Sequence, residues 1–244
     1  MWKVGGFDKS MSNKVIGIEG MVGAGKTSIC KELLNYIPNS IFIDGGNIYR
    51  GIIEALHRKG INIKELLEKS AKEKVEFNPL SFMKTLEVEF KIENRKTEIY
   101  ISGEKVSEDK IQSAQNAIDV SKVASEANNS ALFAFANNII ESYKKHFNII
   151  VSARELVDIY PNMDCHIFVT ATLEERAKRR FNQLGGTISL EEVKKMLIER
   201  DFLHEKSGFN KTCKNTIKVD ITECKDSKES AKKVYDECKK AGLI

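Results

Sequence analysis

Apolar residues along this chain follow two rhythms. Five short β-branched runs, VIGI at 15–18, SIFID at 40–44, NIIVS at 148–152, HIFVT at 166–170 and TIKVDI at 216–221, are apolar almost without interruption. Most are followed by stretches with helical spacing, such as SLEEVKKMLIERD at 189–201 and SKESAKKVYDECKKAG at 227–242. Strands that are apolar on both sides and alternate with helices build a parallel sheet covered on both faces. The pattern predicts an α/β chain with a five-stranded parallel sheet flanked by helices.

The second rhythm occupies LEVEFKIENRKTEIYISGEKVS, residues 86–107, where apolar and polar positions alternate between turn-like ENRK and SGEK. Alternation predicts antiparallel strands with one wet face. Residues 70–115 therefore read as a small antiparallel β subdomain inserted between the second and third parallel strands. The remaining divisions are an N-terminal arm at 1–13, core segments at 14–69, 116–172 and 213–244, and a helical segment at 173–212. No internal repeat or low-complexity tract interrupts them.

Composition narrows the classes. A chain of 244 residues can bury a full core. A net charge of +4 suits small anions and is too weak and dispersed for a nucleic-acid surface. No apolar stretch approaches the ~18 residues that a membrane span needs. The five cysteines, at 30, 165, 213, 224 and 238, form no CxxC pair, and their odd number without a secretory signal favours reduced thiols in the cytoplasm. The four histidines, at 57, 146, 166 and 204, show no metal-ligand spacing, and His166 inside a strand reads as packing. Phe133 and Phe135, with alanine neighbours, read as a buried helix face.

The strongest chemical signal is Gly20-Met21-Val22-Gly23-Ala24-Gly25-Lys26-Thr27, which fits G-x4-G-K-[ST] between a strand, KVIGIE, and a helix, KTSICKELLNYI. Glycines let the backbone curl so that successive N–H groups converge on oxygen anions, and the helix start adds its positive end. Gly20, Gly23, Ala24, Gly25, Lys26, Thr27 and Ser28 are the expected cradle for a nucleoside triphosphate such as ATP. Lys26 would reach the β- and γ-phosphates and the Thr27 hydroxyl would hold Mg²⁺. The loop is silent about the acceptor.

An acceptor signal begins at the second strand, in Ile43-Asp44-Gly45-Gly46-Asn47-Ile48-Tyr49-Arg50. Ligands of open parallel sheets sit beyond the carboxyl ends of the strands. Asp44 ends such a strand, and Tyr49 and Arg50 follow on the first turns of a helix. They offer an acid for sugar hydroxyls, an aromatic ring and a guanidinium fork for phosphate. A plain helix cap is the alternative role for Asp44.

Several segments taken in order carry a resemblance. They are Ile48-Tyr49-Arg50 after Asp44-Gly45-Gly46, then ISGEKVSEDKI in the insert, SKVAS, LEERAKRRFNQ and a helix end at Glu199-Arg200-Asp201. Together they resemble the bacterial-type cytidylate kinases, which are P-loop nucleoside monophosphate kinases, from about Lys14 to Ile244. The resemblance implies a P-loop kinase fold with a closing lid at 173–212, and ATP and Mg²⁺ as donor and metal. It implies that the insert helps enclose a pyrimidine monophosphate and that Asp44, Tyr49 and Arg50 contact it. It further implies acceptor contacts from Ser121, Arg154, Glu155, Arg200 and Asp201, and contacts from Arg176 and Arg180 to ATP phosphates. Lys26, Arg154 and Arg180 would form the catalytic clamp, although Arg176 is equally open to a structural role.

The chain departs from the family pattern at four places. Gly45 stands where the family carries Ser or Thr, and Ala153-Arg154-Glu155 replaces Gly-Arg-Asp. EANNSALF lacks an arginine near Ser130, and the lid exit reads Asp201-Phe202-Leu203-His204-Glu205-Lys206 in place of an Arg- and Asp-rich run. The donor half of the site is intact and the acceptor half is altered. The expectation is γ-phosphoryl transfer from ATP to CMP or dCMP. The expected partner is a small-molecule nucleotide, and the expected state a monomer. Another nucleotide or small anion as acceptor, or a nucleotide-binding relative with little turnover, are the alternatives.

Overall fold

A computed structural model describes residues 13–73, 86–113, 115–116, 118–120, 123, 130–206 and 211–244. At its centre five parallel strands are ordered β2 (Ser40–Asp44), β6 (Asn148–Ser152), β1 (Val15–Gly20), β7 (Cys165–Thr170) and β8 (Thr216–Asp220). These are the five runs read from the sequence.

The strand pleat sorts side chains onto two faces. On one face Ile16, Ile18, Ile150, Ile167 and Val169 pack with Ile29, Cys30 and Leu33 of α1 (Lys26–Leu33) and with Ala231, Val234 and Cys238 of the C-terminal helix Ser227–Lys240. On the other, Val15, Ile41, Ile43, Ile149 and Val151 pack with Ile48 of α2 (Gly45–Arg58) and Ile139 and Ile140 of helix Ser130–Lys144. Burial on both sides is why the inner runs carry no polar alternation, whereas edge strand β8 exposes Lys218 and Asp220. On the first face, Cys165 Sγ and Cys238 Sγ approach to 3.2 Å as free thiols.

After α3 (Ile63–Glu73), the insert forms the antiparallel strands β3 (Val88–Glu93) and β4 (Lys96–Ile101), with a short β5 (Glu104–Lys105) pairing back onto β4. The turns fall at the positions the sequence marks. Asn94 and Arg95 have φ of 48° and 64°, and Ser102 and Gly103 have 50° and 78°, the left-handed pairs that tight hairpins require.

The hairpin is less separate than the sequence suggests. β4 pairs with β2 in parallel, so the insert extends the edge of the main sheet. That junction is narrow, with Phe42 opposite Lys96 and Phe42 N–H donating to Arg95 O at 2.8 Å. Arg95 fastens it with its side chain. Nε donates to Ser40 O at 2.9 Å, and Nη2 donates to Ile37 O at 3.1 Å and to Ser40 Oγ at 2.7 Å.

The remaining elements are α4 (Glu108–Ile111), α5 (Ser130–Lys144), α6 (Leu156–Ile159), α7 (Leu173–Gln183), α8 (Leu190–Lys206) and α9 (Ser227–Lys240). Helices α7 and α8 occupy the expected lid and share a small core of their own. Ala177, Val193 and Leu197 pack there against Val22, a residue of the glycine-rich loop.

Arg95→Ala removes three side-chain hydrogen bonds from the junction. It should lower the unfolding free energy by about 2–3 kcal/mol in urea titration. Amide exchange in β3 and β4 should rise more than in β1. Uniform exchange across both regions would show that the hairpin does not depend on this pin.

Candidate active site

The loop after β1 owes its shape to a close approach. Gly20 has φ of 146°, and a β-carbon there would collide with the Val169 carbonyl of β7. That carbonyl accepts Met21 N–H at 3.1 Å, so the chain turns hard against its neighbour strand. Helix α1 then starts from Gly25 in the left-handed conformation, with no capping side chain and no acid in its first turn. Its positive end is left unneutralised toward the cleft, where Thr27 and Ser28 are exposed. Lys26 Nζ folds back onto Gly20 O and Met21 O at 2.9 and 3.0 Å. Burial, and after it the charge of Arg154, lower its pKa to about 8.

Around this loop lies a cleft of roughly 750 Å³, lined by residues 22–29 of the loop and α1 together with Arg50, Arg180 and Arg200. Such a volume lies within the usual range for small-molecule sites. The cations interact with one another. Burial lowers the pKa of Arg154, and Arg200 and Arg50 lower it further. Burial likewise lowers that of Arg200, with Arg180 and Arg50 adding to the effect. Glu155 and Asp201 offset only part of this repulsion. Lys26, Arg50, Arg154, Arg180 and Arg200 thus form one field of positive charge, as a polyanion site requires.

At the end of β2 Asp44 is a helix cap, with Oδ1 accepting Asn47 N–H at 3.2 Å. It also lines a notch of about 30 Å³ with Thr27, Asn47, Glu98 and Glu108, so the cap and a ligand contact do not exclude each other. Burial raises its pKa. One turn further, Tyr49 Oη and Arg50 Nε are buried without a hydrogen-bond partner. Leaving such groups unpaired costs about 1–3 kcal/mol each. Among the described residues Arg50 Nη1 reaches Asn47 Oδ1, at 3.4 Å. Burial and the nearby Glu155 push the Tyr49 phenol up. Two orphaned polar groups on adjacent residues beside a cationic cleft fit an anionic ligand that supplies the missing partners.

A divalent ion fits here in one form. Among the described residues no group of three or more His, Cys, Asp or Glu side chains could hold a metal. The hard oxygens at the notch include Thr27 Oγ1 and the carboxylates of Asp44, Glu98 and Glu108. They suit Mg²⁺ shared with the phosphates of a ligand, the usual habit of that ion.

Two expected phosphate or substrate contacts have other partners. Arg176, proposed for ATP phosphates, is 3% exposed and faces the back of the loop. Its Nε donates to Ala171 O at 3.1 Å, and Nη1 donates to Val22 O at 3.0 Å and pairs with Asp201 Oδ2 at 2.7 Å. Asp201, expected at the acceptor, is that partner. The pair braces the loop from α7 and α8, because burial makes a guanidinium satisfy its donors locally. Arg180 is half-buried at the cleft, donating Nη1 to Gln183 Oε1 at 2.8 Å. Arg154 and Glu155 follow β6 at the ligand edge of the sheet, with Glu155 at φ 59°. Ser121 lies outside the described residues.

The sequence reading missed the buried contact of His166 with Glu19, whose oxygen lies 2.9 Å from the imidazole Nε2. A histidine among apolar strand residues is its sequence trace; in the fold His166 lies opposite Gly17, two residues before Glu19 on the neighbouring strand.

The lowered Lys26 pKa has a measurable consequence. A bound polyphosphate favours the charged ammonium and raises the pKa again. Affinity for inorganic tripolyphosphate should therefore be full below pH 8 and fall as pH rises above it, by up to about tenfold per unit. Calorimetry between pH 7 and 9.5 would record this, with proton uptake visible as buffer-dependent heat. Lys26→Met should weaken binding and abolish the slope. An affinity that stays flat across the range for the unaltered protein would rule out Lys26 as the titrating contact.

Comparison with known proteins agrees with this geometry. The family model described as cytidylate kinase matches residues 16–240. A cytidylate kinase from Thermosipho africanus is 31% identical over 190 residues, covering 76% of each chain. One from Fusobacterium nucleatum is 29% identical over 223 residues, covering 87% of this chain and 91% of the relative. Among solved structures, a shikimate kinase from Acinetobacter baumannii aligns over 96% of this chain and 97% of its own, at 10% identity and a TM-score of 0.42. With the family model spanning the sheet, the glycine-rich loop and the cation-lined cleft, the chain belongs to the cytidylate kinase family of phosphotransferases.

Proposed function

We propose that the protein transfers the γ-phosphoryl group of ATP to CMP or dCMP, giving ADP and CDP or dCDP. The observation that carries this reading is that Arg50, with its orphaned Nε, lines the same cleft as the loop, Lys26 and Arg180. A donor cradle and an acceptor-side guanidinium that share one cleft suit transfer between two phosphorylated ligands. Family membership supports the same chemistry.

In this mechanism the curled loop, the start of α1 and Lys26 hold the donor phosphates. Arg50 and Arg154 grip the acceptor phosphate and orient its oxygen toward the γ-phosphorus. Mg²⁺, when bound, would be held by Thr27 and would neutralise charge on the donor phosphates. Charge spreads over the equatorial oxygens as the phosphoryl group moves, and the preorganised cations stabilise it. Lys26 leaves the loop carbonyls for the phosphates, while Arg180 and Arg200 approach from α7 and α8. Closure of these helices would exclude water, which otherwise competes as acceptor.

A second acceptor class stays in view because of Gly45. A β-carbon at that position would lie 2.7 Å from Ala153 Cβ, so a Ser or Thr hydroxyl does not fit there. Relative to the family pattern, the methyl group has crossed from position 45 to position 153. One polar contact to the acceptor is lost, and the floor of the site is more apolar.

Coupled measurement of ADP across a nucleoside monophosphate panel tests the assignment. ADP formation should require CMP or dCMP and a divalent cation. Lys26→Ala should lower kcat/KM by about 10³-fold. Arg50→Ala and Arg154→Ala should lower kcat/KM for CMP by about 10²–10³-fold, with ATP affinity nearly unchanged. Preference for a non-pyrimidine acceptor would move the protein to the second class.

A further inference from the structure

A polar network lies behind the cleft, formed by residues outside its lining. Glu19, the residue before the first loop glycine, is 4% exposed, and His166 on β7 is fully buried. Glu19 Oε1 accepts Leu156 N–H at 2.8 Å, and Oε2 lies 2.9 Å from His166 Nε2. His166 Nδ1 lies 2.8 Å from Thr216 Oγ1, which accepts Cys213 N–H at 2.8 Å. A carboxylate accepts at both oxygens, so Nε2 carries the proton toward Glu19, while Nδ1 shares one proton with Thr216 Oγ1, whose hydroxyl also lies 3.6 Å from Cys213 Sγ. Each of these positions is satisfied, and satisfied buried networks are stiff.

The end of the network holds a turn that the sequence does not favour. Leu156 N–H is the first amide of α6, and Glu155 before it sits at φ 59° and ψ 33°, a left-handed conformation that a glutamate rarely adopts. Glu155 supplies no side-chain cap for its own helix. The cap comes from Glu19, on the neighbouring strand. Arg154 is the residue immediately before this turn, and its charge is felt at Lys26.

We propose that His166 is a positioning residue for phosphoryl transfer. It locks the Glu19 carboxylate, which pins the Arg154–Glu155–Leu156 turn and so aims Arg154 at the cleft. The inference rests on the kinase reading for its catalytic consequence, but the pin itself is independent of that reading. Misplacing a charged group by about 1 Å costs up to about 10²-fold in rate. A residue that only filled the core would affect melting and leave turnover and the turn untouched.

The test compares His166→Leu, His166→Gln and Thr216→Val with the unaltered protein. Leucine removes the donor to Glu19, glutamine can replace it, and valine removes only the hydroxyl that orients the ring. Exchange of the Leu156 amide is followed by NMR without substrate. ATP-plus-CMP kinetics and ATP affinity are measured well below each melting temperature. His166→Leu should speed Leu156 exchange at least about tenfold and lower kcat about 10- to 100-fold, with ATP affinity changed less than about threefold. His166→Gln should restore most of both effects, and Thr216→Val should show the same changes at a few-fold size. Unaltered kcat and Leu156 exchange in His166→Leu would overturn the proposal, whatever its melting temperature. Should that variant fail to fold, unaltered kcat and Leu156 exchange in Thr216→Val would overturn it instead. If the unaltered protein forms no CMP-dependent ADP, the kinase reading falls, while Leu156 exchange in the variants still decides whether the pin exists.

Discussion

Five cations that repel one another are held at the rim of one sheet, and most of the site follows from that constraint. Lys26, Arg154 and Arg200 all have lowered pKa values, with burial as the first cause and neighbouring cations contributing to each. Keeping like charges together in a partly dehydrated cleft opposes folding. The fold withstands it because the charges are anchored from separate elements: α1, α2, the turn after β6, α7 and α8. A polyanion offsets this repulsion, because each cation gains an attraction to it. The orphaned Tyr49 Oη and Arg50 Nε belong to the same arrangement, since the rim is incomplete as a hydrogen-bonding surface until something negative fills it.

The glycine-rich loop is also mechanically shared. Val22 belongs to the small apolar core of α7 and α8, and its carbonyl accepts Nη1 of Arg176, which is paired with Asp201. Arg200, a member of the cationic rim, is the neighbour of Asp201 in sequence. Displacement of α8 therefore acts on a rim charge and on the brace of the loop together. Lys26 is part of the same structure, since its bonds to Gly20 O and Met21 O steady the loop.

What the sequence made legible was local. The five strands, the hairpin turns at Asn94-Arg95 and Ser102-Gly103, and the loop at 20–27 depend on spacing and on backbone conformations that particular residues permit. Arg50 and Arg154 could be nominated because strand ends in a parallel sheet converge on one edge. The bonds of Arg176 to the loop and to Asp201 were not legible, because nothing in the spacing shows that an arginine of α7 turns inward to a loop carbonyl 154 residues away in sequence. Arg95 looked like an ordinary turn residue, yet it ties the hairpin to Ser40 across 55 residues. His166 looked apolar by context, and only the register of β1 against β7 brings an acid beside it. Long-range polar partners leave almost no periodic trace, whereas burial and turns do.

The sulfur pair under β7 bears on how the chain ages in solution. Hydrogen bonding to Cys238 and burial push the Cys165 thiol up, and burial does the same to Cys30. Since electrophiles and oxidants attack the thiolate, proximity at 3.2 Å does not make this pair reactive while the sheet remains closed. Chemical damage at these sulfurs would then record past openings of the core, a durable tally of breathing written into the most protected layer of the molecule.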